Sequence, residues 1–403
     1  MRHIMCFALP LVMAATISSA AVGQEVRVSG LVEGNSRFAL DLYQKLRDRP
    51  GNLFFSPSSL STALAMTYAG ARGETAEQMA RVLHFAAPQD QLPEAFAELL
   101  GELRPQAAKP GFQLDVANRL WGQQGYHFMA DFLAITRNFY HAELAEVDFA
   151  GQPEAARARI NLWVEQETQE KIKDLVPPKV IRPDTVLVLT NAIYFKGDWS
   201  HPFPKAATRD EPFHVTGEQT IQVPLMHRTD DLRFAAIDAL QILELNYGKG
   251  ELSALFLLPE AIDGLPALEA RLNHDNLTRW TSALARRKVE VFLPRFKLSS
   301  QFSLPEVLAS MGMTHAFDSR ADFSGMSTQE KLFISDVLHK AFVDLNEEGT
   351  EAAAATAVVM SRTMAVLPKP PVIFRADHPF LFLIVDNRTR SILFLGRVAS
   401  PKS

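Results

Sequence analysis

The chain has 403 residues, of which 47% are hydrophobic and 22% charged, which excludes a disordered or fibrous protein and allows a large core. A formal net charge of −5 supplies no global basic field, so neither nucleic acid nor a heparin-like polyanion is an expected partner. No Pro/Gly/Ser-rich or charge-run linker divides the sequence, and one large domain is expected.

The first element in chain order is a positive start, Met1-Arg2-His3, followed by an apolar run from Ile4 to Met13 that trails into small residues before Gly23. These are the parts of a secretory signal, with cleavage after Ala21 or Gly23. Residues 1–23 are therefore read as a signal peptide and the mature protein as secreted, extracellular or periplasmic. An uncleaved membrane anchor is the alternative; Pro10 and the polar Thr16, Ser18 and Ser19 stand against it. Cys6, the only cysteine, lies in this segment, so the mature chain would have no thiol or disulfide and must be held by packing.

Phe38, Leu42 and Leu46 then recur at helical spacing over 35–49, and Pro50-Gly51 stops that helix. A short strand is expected over 52–55, after which Ser56 caps a helix and Pro57 occupies its first turn. Helical patterns follow over 75–83 and 93–103, whereas 111–121 alternates Phe112, Leu114 and Val116 as a strand does. Residues 153–173 place Ala156, Ile160, Trp163 and Val164 on one face of a long surface helix. Beyond it, 186–195, 252–258, 289–293, 333–345, 380–385 and 392–398 are β-rich apolar runs, several without alternation and so expected to be buried on both faces. Helix-rich sequence followed by strand-rich sequence predicts an α+β fold rather than a βαβ repeat.

Motifs for catalysis are missing from the sequence. There is no Gly-x-Ser-x-Gly elbow, no phosphate-binding Gly-Lys-Ser/Thr loop and no His-Glu-x-x-His pair, and the 11 histidines show no metal-ligand spacing. The chain is not expected to be an enzyme or to need a metal or cofactor. Sequons at Asn276-Leu277-Thr278 and Asn387-Arg388-Thr389 are read as unmodified surface loops.

One segment fits none of these patterns: EEGTEAAAATAVVMSRTMAVLP over 347–368 is small and helix-tolerant first, then apolar and β-branched, with a lone Arg362 in the apolar part. Its setting carries a resemblance. NLFFSPSSL at 52–60, LTNAIYFKGDW at 189–199, LPRF at 293–296, ADFSGM at 321–326, LHKAF at 338–342, EEGTEAAAAT at 347–356, FLFLI at 380–384 and FLGR at 394–397 follow one another in order. Over 30–401 the sequence resembles the serpin family of serine protease inhibitors.

The resemblance implies a single domain of three β-sheets and about nine helices, with an exposed reactive-centre loop at about 347–375. It also implies suicide inhibition, in which a protease cuts the loop and is trapped as an acyl-enzyme while the loop enters the central sheet. Serpin loop insertion is an established instance of strand addition and released strain rather than a deduction from this sequence. A non-inhibitory serpin with a binding, carrier or chaperone-like role is the alternative.

Residue by residue, the resemblance assigns a hinge to Glu347, Gly349, Thr350, Ala352, Ala353, Ala354 and Ala355, a shutter to Ser56, Ser59, Asn191 and His339, and a breach to Trp199, Arg295 and Glu347. The residues suit these roles. Alternation would put Thr350, Ala352, Ala354, Thr356 and Val358 on one face of a strand, all small or β-branched, and Gly349 supplies hinge freedom. An Ala-rich surface helix is the plain alternative for this stretch. His339 falls on the apolar face of 333–345 and is predicted to bond to Asn191 or Ser56. Arg295 is predicted to pair with Glu347.

Family spacing from Gly349 puts the reactive bond at Arg362–Thr363, with Thr363–Met364 the next choice. Arg362 is the only basic residue between Glu347 and Lys369, which favours a trypsin-like partner. Cleavage after Thr363 by an elastase-like protease, or after Met360 or Met364 by a chymotrypsin-like one, are the alternatives. The chain is expected to act as a monomer.

Overall fold

Helices come first along the chain and strands later, in the order the apolar patterning requires. The computed structural model describes residues 13–107, 112–328, 332–350 and 370–402. Among these, the early helices are α1 (Met13–Leu46), α2 (Pro57–Gly70), α3 (Gly73–Leu83), α4 (Leu92–Ala107), α5 (Ala130–Tyr140) and α6 (Pro153–Glu167). The later ones are short: α7 (Leu265–Arg271), α8 (His274–Ser282) and α9 (Pro305–Ser310). The first strands are β1 (Leu53–Phe55), β2 (Phe112–Gln123), β3 (Leu144–Val147), β4 (Leu187–Asp198) and β5 (Arg209–His214). Next come β6 (Thr220–Ile237), β7 (Leu240–Tyr247), β8 (Leu252–Pro259), β9 (Ala285–Pro294) and β10 (Phe296–Ser303). The last are β11 (Asp336–Asn346), β12 (Gly349–Thr350), β13 (Val372–Arg375), β14 (Phe380–Asp386) and β15 (Ile392–Val398).

The apolar runs without alternation are the strands buried on both faces: every residue of β8, β14 and β15 is buried. Helix α2 packs into the same core and is buried on nearly all sides. Ser56 caps it as expected, its Oγ accepting from the Ser59 amide, with Pro57 at the first turn.

Two hydrogen-bonded sheets result among the described residues. One has six strands in the order β10-β11-β12-β4-β2-β3, with β11 also paired directly to β4. The other runs β1-β15-β14-β8-β7-β6-β9-β13, with β5 on β6. Two of the three sheets implied by the resemblance are thus joined into one network. The 18-residue β6 does this by pairing with β5 at its start, β9 along its middle and β7 at its end.

Element ends depart from expectation for local reasons. Helix α6 stops at Glu167 instead of continuing to 173, because the buried Thr168 hydroxyl donates to the Val164 carbonyl and accepts from the Ile172 amide. Gln169 and Glu170 then turn left-handed. Helix α1 begins at Met13, so it passes unbroken through both cleavage positions read from the sequence. At its other end the Arg397 guanidinium takes up the Arg47 and Gly51 carbonyls at 2.7 and 2.8 Å. Among the described residues no helix is long and apolar enough to cross a membrane. The loop expected over 347–375 is shorter at both ends, since Gly349–Thr350 is β12 and Val372–Arg375 pairs in parallel with β9 as β13.

Candidate functional site: a seam in the six-stranded sheet

The six-stranded sheet contains a seam. Strands β4 and β11 lie side by side in parallel over eight register pairs, from Val188–Asp336 to Phe195–Val343. Above the last pair they part. There β11 ends, the chain turns through Glu347 and Glu348, and β12 comes back between the two lips, antiparallel to both. Gly349 pairs with Asn346 and Asp198, and Thr350 with Leu345 and Gly197. Two residues of the predicted hinge are therefore already wedged into the top of a sheet that is closed below.

Glycine is required in that wedge. Gly349 has φ +140°, and a Cβ there would lie 2.1 Å from the Gly197 carbonyl oxygen and 2.7 Å from the Asp198 Cα. A side chain could be accommodated only by pushing β12 off β4.

The seam's core-facing pairs are Leu189–Val337, Asn191–His339, Ile193–Ala341 and Phe195–Val343. Only one of them is polar, and it joins two of the residues that the resemblance assigns to a shutter. The Ser56 amide donates to His339 Nε2 at 3.1 Å, so the imidazole proton sits on Nδ1, which donates to Asn191 Oδ1 at 2.5 Å. Full burial pushes the His339 pKa down to about 3, because desolvation penalises the imidazolium more than the Asn191 carbonyl favours it. His339 is neutral, and both of its nitrogens are used. Asn191 Nδ2 in turn donates to Ser59 Oγ at 2.5 Å and to Asn118 Oδ1, and the Ser56 hydroxyl donates to the Leu393 carbonyl at 2.6 Å. All four predicted shutter residues meet.

Asn118 is the member that sequence reading missed. It stands opposite Asn191 on β2 and also accepts from the Ser59 hydroxyl. A signal existed: Asn118 interrupts the apolar face that carries Phe112, Leu114 and Val116.

The breach also assembles. Trp199 follows β4, stacks on Tyr247 with ring centroids 4.4 Å apart, and donates from Nε1 to the Asn346 carbonyl at 3.0 Å. Glu347 Oε1 accepts from Arg295 Nε at 2.7 Å and from the Thr208 hydroxyl at 2.6 Å. An exposed pair would be worth about 1 kcal/mol. This one is half-buried: the Glu347 side chain is only 3% exposed, against 44% for Arg295. Thr208 and the second turn pair, Lys205 with Glu348 at 2.5 Å, are further residues the sequence did not single out.

Several predicted positions lie outside the described residues: Ala352, Ala353, Ala354, Ala355, Arg362, Thr363 and Met364. Of the two sequons, Asn276 lies in the first turn of α8 rather than in a loop, its Nδ2 donating to the Arg271 carbonyl, and Asn387 Nδ2 donates to the Gly250 carbonyl. Among the described residues no group of three His, Cys, Asp or Glu side chains is arranged to hold a metal ion.

A family model described as Serpin (serine protease inhibitor) matches residues 33–401. The chain is 44% identical over 384 residues to the leukocyte elastase inhibitor of Equus caballus, which covers 92% of this chain and 99% of that relative. It is 43% identical over 380 residues to an uncharacterised serpin-like protein of Thermococcus kodakarensis, covering 94% of this chain and 87% of the relative. The solved structure of human thyroxine-binding globulin with thyroxine aligns with a TM-score of 0.85 at 32% identity, covering 94% of this chain and all of that one. A closed parallel seam with a glycine wedge at its top, in a chain with these relatives, places this protein in the serpin family.

Two outcomes follow from this geometry. His339 binds its proton near pH 3 in the fold but near 6.5 in the unfolded chain, so the unfolded state is favoured as pH falls through that window. Stability should be full above pH 6.5 and fall below it, by at most about 1.4 kcal/mol per pH unit from this group. Thermal unfolding at pH 7.5 and 5.5 checks this, and His339→Gln should show a smaller drop between the two. Arg295→Ala would leave the buried Glu347 carboxylate with Thr208 alone. It should cost about 1–3 kcal/mol, more than an exposed pair, as a lowered midpoint in denaturant unfolding.

Proposed function

We propose that this protein is a suicide inhibitor of serine proteases, trapping the acyl-enzyme as its cut loop enters the seam. The observation that carries the proposal is the wedge. Continuing the β12 register downward by counting, Ala352 would meet Phe195 and Val343, Ala354 would meet Ile193 and Ala341, and Thr356 would arrive between Asn191 and His339. Residues facing the core along this path are small until the shutter is reached. There the one polar core-facing pair would receive a hydroxyl that can take over a hydrogen bond.

Under this reading Arg362–Thr363 is the bait, offered to a trypsin-like protease. With active trypsin the wild-type chain should give a covalent complex stable in SDS, and loop cleavage should raise its melting temperature. Arg362→Ala should abolish the complex with trypsin; a retained complex would move the reactive bond elsewhere. The likeness to thyroxine-binding globulin motivates a second reading, a binding or carrier serpin. That reading expects cleaved product alone on the same gel.

We also propose secretion, on the charge and apolar pattern of residues 1–23. Amino-terminal sequencing of the protein recovered outside the cytoplasm should begin at Val22 or Gln24. A start at Met1 would overturn the leader.

A further inference from the structure

The seam has an outer face as well as a core face, and its side-chain pairs there are unequal. In register they are Val188–Asp336, Thr190–Leu338, Ala192–Lys340 and Tyr194–Phe342. Each of the first three sets an apolar side chain against a polar one. Only the fourth is apolar on both strands, and its rings stack with centroids 5.8 Å apart at an interplanar angle of 20°. Tyr194 is fully buried beneath the apolar layer from α6 and the segment after it, including Ile160, Val164 and Ile172. The Lys171 ammonium sits 5.3 Å from the Tyr194 ring. This pair also lies one position below Phe195–Val343, the last closed pair under the wedge.

We propose that the Tyr194–Phe342 stack is the first clasp of the seam, the side-chain contact whose parting limits how fast the sheet opens ahead of an advancing strand. A strand entering between β4 and β11 would add about 4.8 Å to their separation, and the ring contact would be lost. The three pairs beneath join unlike side chains and add no comparable attraction. The clasp therefore acts on the rate of opening and is absent from the opened sheet, which is the condition for a contact that lengthens the life of the closed state.

The proposal rests on the reading that the seam opens to take a strand, so its test avoids the protease. The full-length chain is mixed with a synthetic peptide of sequence TEAAAATAVVMS, matching residues 350–361, and uptake is followed on a native gel over time. Phe342→Leu should take up the peptide about fivefold faster than wild type, the order expected of one stacked pair. Phe342→Tyr, which keeps the ring, should match wild type. Phe96→Leu, which removes a buried ring of the helical core away from the seam, should lower the melting temperature without speeding uptake. Uptake by Phe342→Leu at the wild-type rate would overturn the clasp, as would equal acceleration by Phe96→Leu, or a wild-type chain that takes up no peptide. A chain that traps trypsin while Phe342→Leu anneals normally rejects the clasp alone. Accelerated annealing without protease trapping rejects the inhibitory reading alone.

Discussion

One ladder of backbone hydrogen bonds, the parallel pairing of β4 with β11, holds the six-stranded sheet in its present form. Among the described residues it is, below the wedge, the only join between the β10–β11 pair and the rest of that sheet. Parallel pairing is slightly the weaker kind per residue, and β12 shows that a strand between the lips runs antiparallel to both. A fully entered strand would exchange one parallel ladder for two antiparallel ones. Under the inhibitory reading, at about 0.5–1.5 kcal/mol net per added bond, the closed seam is the less stable arrangement. On that reading a barrier preserves it, because the two lips must separate before either new ladder can form.

The polar cluster under the seam divides unevenly across the two joints that meet at β4. Asn191 reaches Asn118 on β2, Ser59 on α2 and His339 on β11. Parting β11 from β4 costs Asn191 only the imidazole and an eight-pair parallel ladder, whereas parting β4 from β2 would strip the Asn118 side chain and an eleven-pair antiparallel ladder. The sheet has one weak line, and the only polar core-facing pair on that line is neutral on both sides. A charged group there would carry a large burial cost whenever its partner moved away. Depression of the His339 pKa by burial keeps the pair neutral through the physiological range.

Much of this was legible from residues. Apolar runs located β4, β8, β9, β11, β14 and β15, the last without error, because a strand buried on both faces leaves an unbroken signature, whereas β5, β6, β7 and β10 were not read as strands. Parity along 333–345 put His339 on the core face, and family resemblance supplied Ser56, Ser59 and Asn191 as its company. Ends were harder to read. The stop of α6 depends on a Thr168 hydroxyl that bonds backward and forward at once, which periodicity does not register. The burial of Glu347 was hidden for another reason: it depends on Thr208 and Trp199, brought beside the turn by strands distant in sequence. Asn118 was readable and passed over, a polar residue on an apolar face that proves to be a partner of Asn191.

The wedge was the least legible feature, since it depends on two glycines that approach from separate strands. Gly197 cannot carry a Cβ, because Phe195 and Tyr247 fill that space, and Gly349 cannot because of Gly197 itself. Their close approach lets the turn bond to the end of β4 through backbone alone, the Trp199 amide donating to the Glu348 carbonyl and the Phe203 amide to the Glu347 carbonyl, each at 2.8 Å. Arg295 and Lys205 then hold the two glutamates. The near end of the loop is thereby fixed to both lips of the seam before any strand enters. Under the inhibitory reading, cutting the loop frees only its far end, and the register in which the chain must enter is already set by the two residues in place.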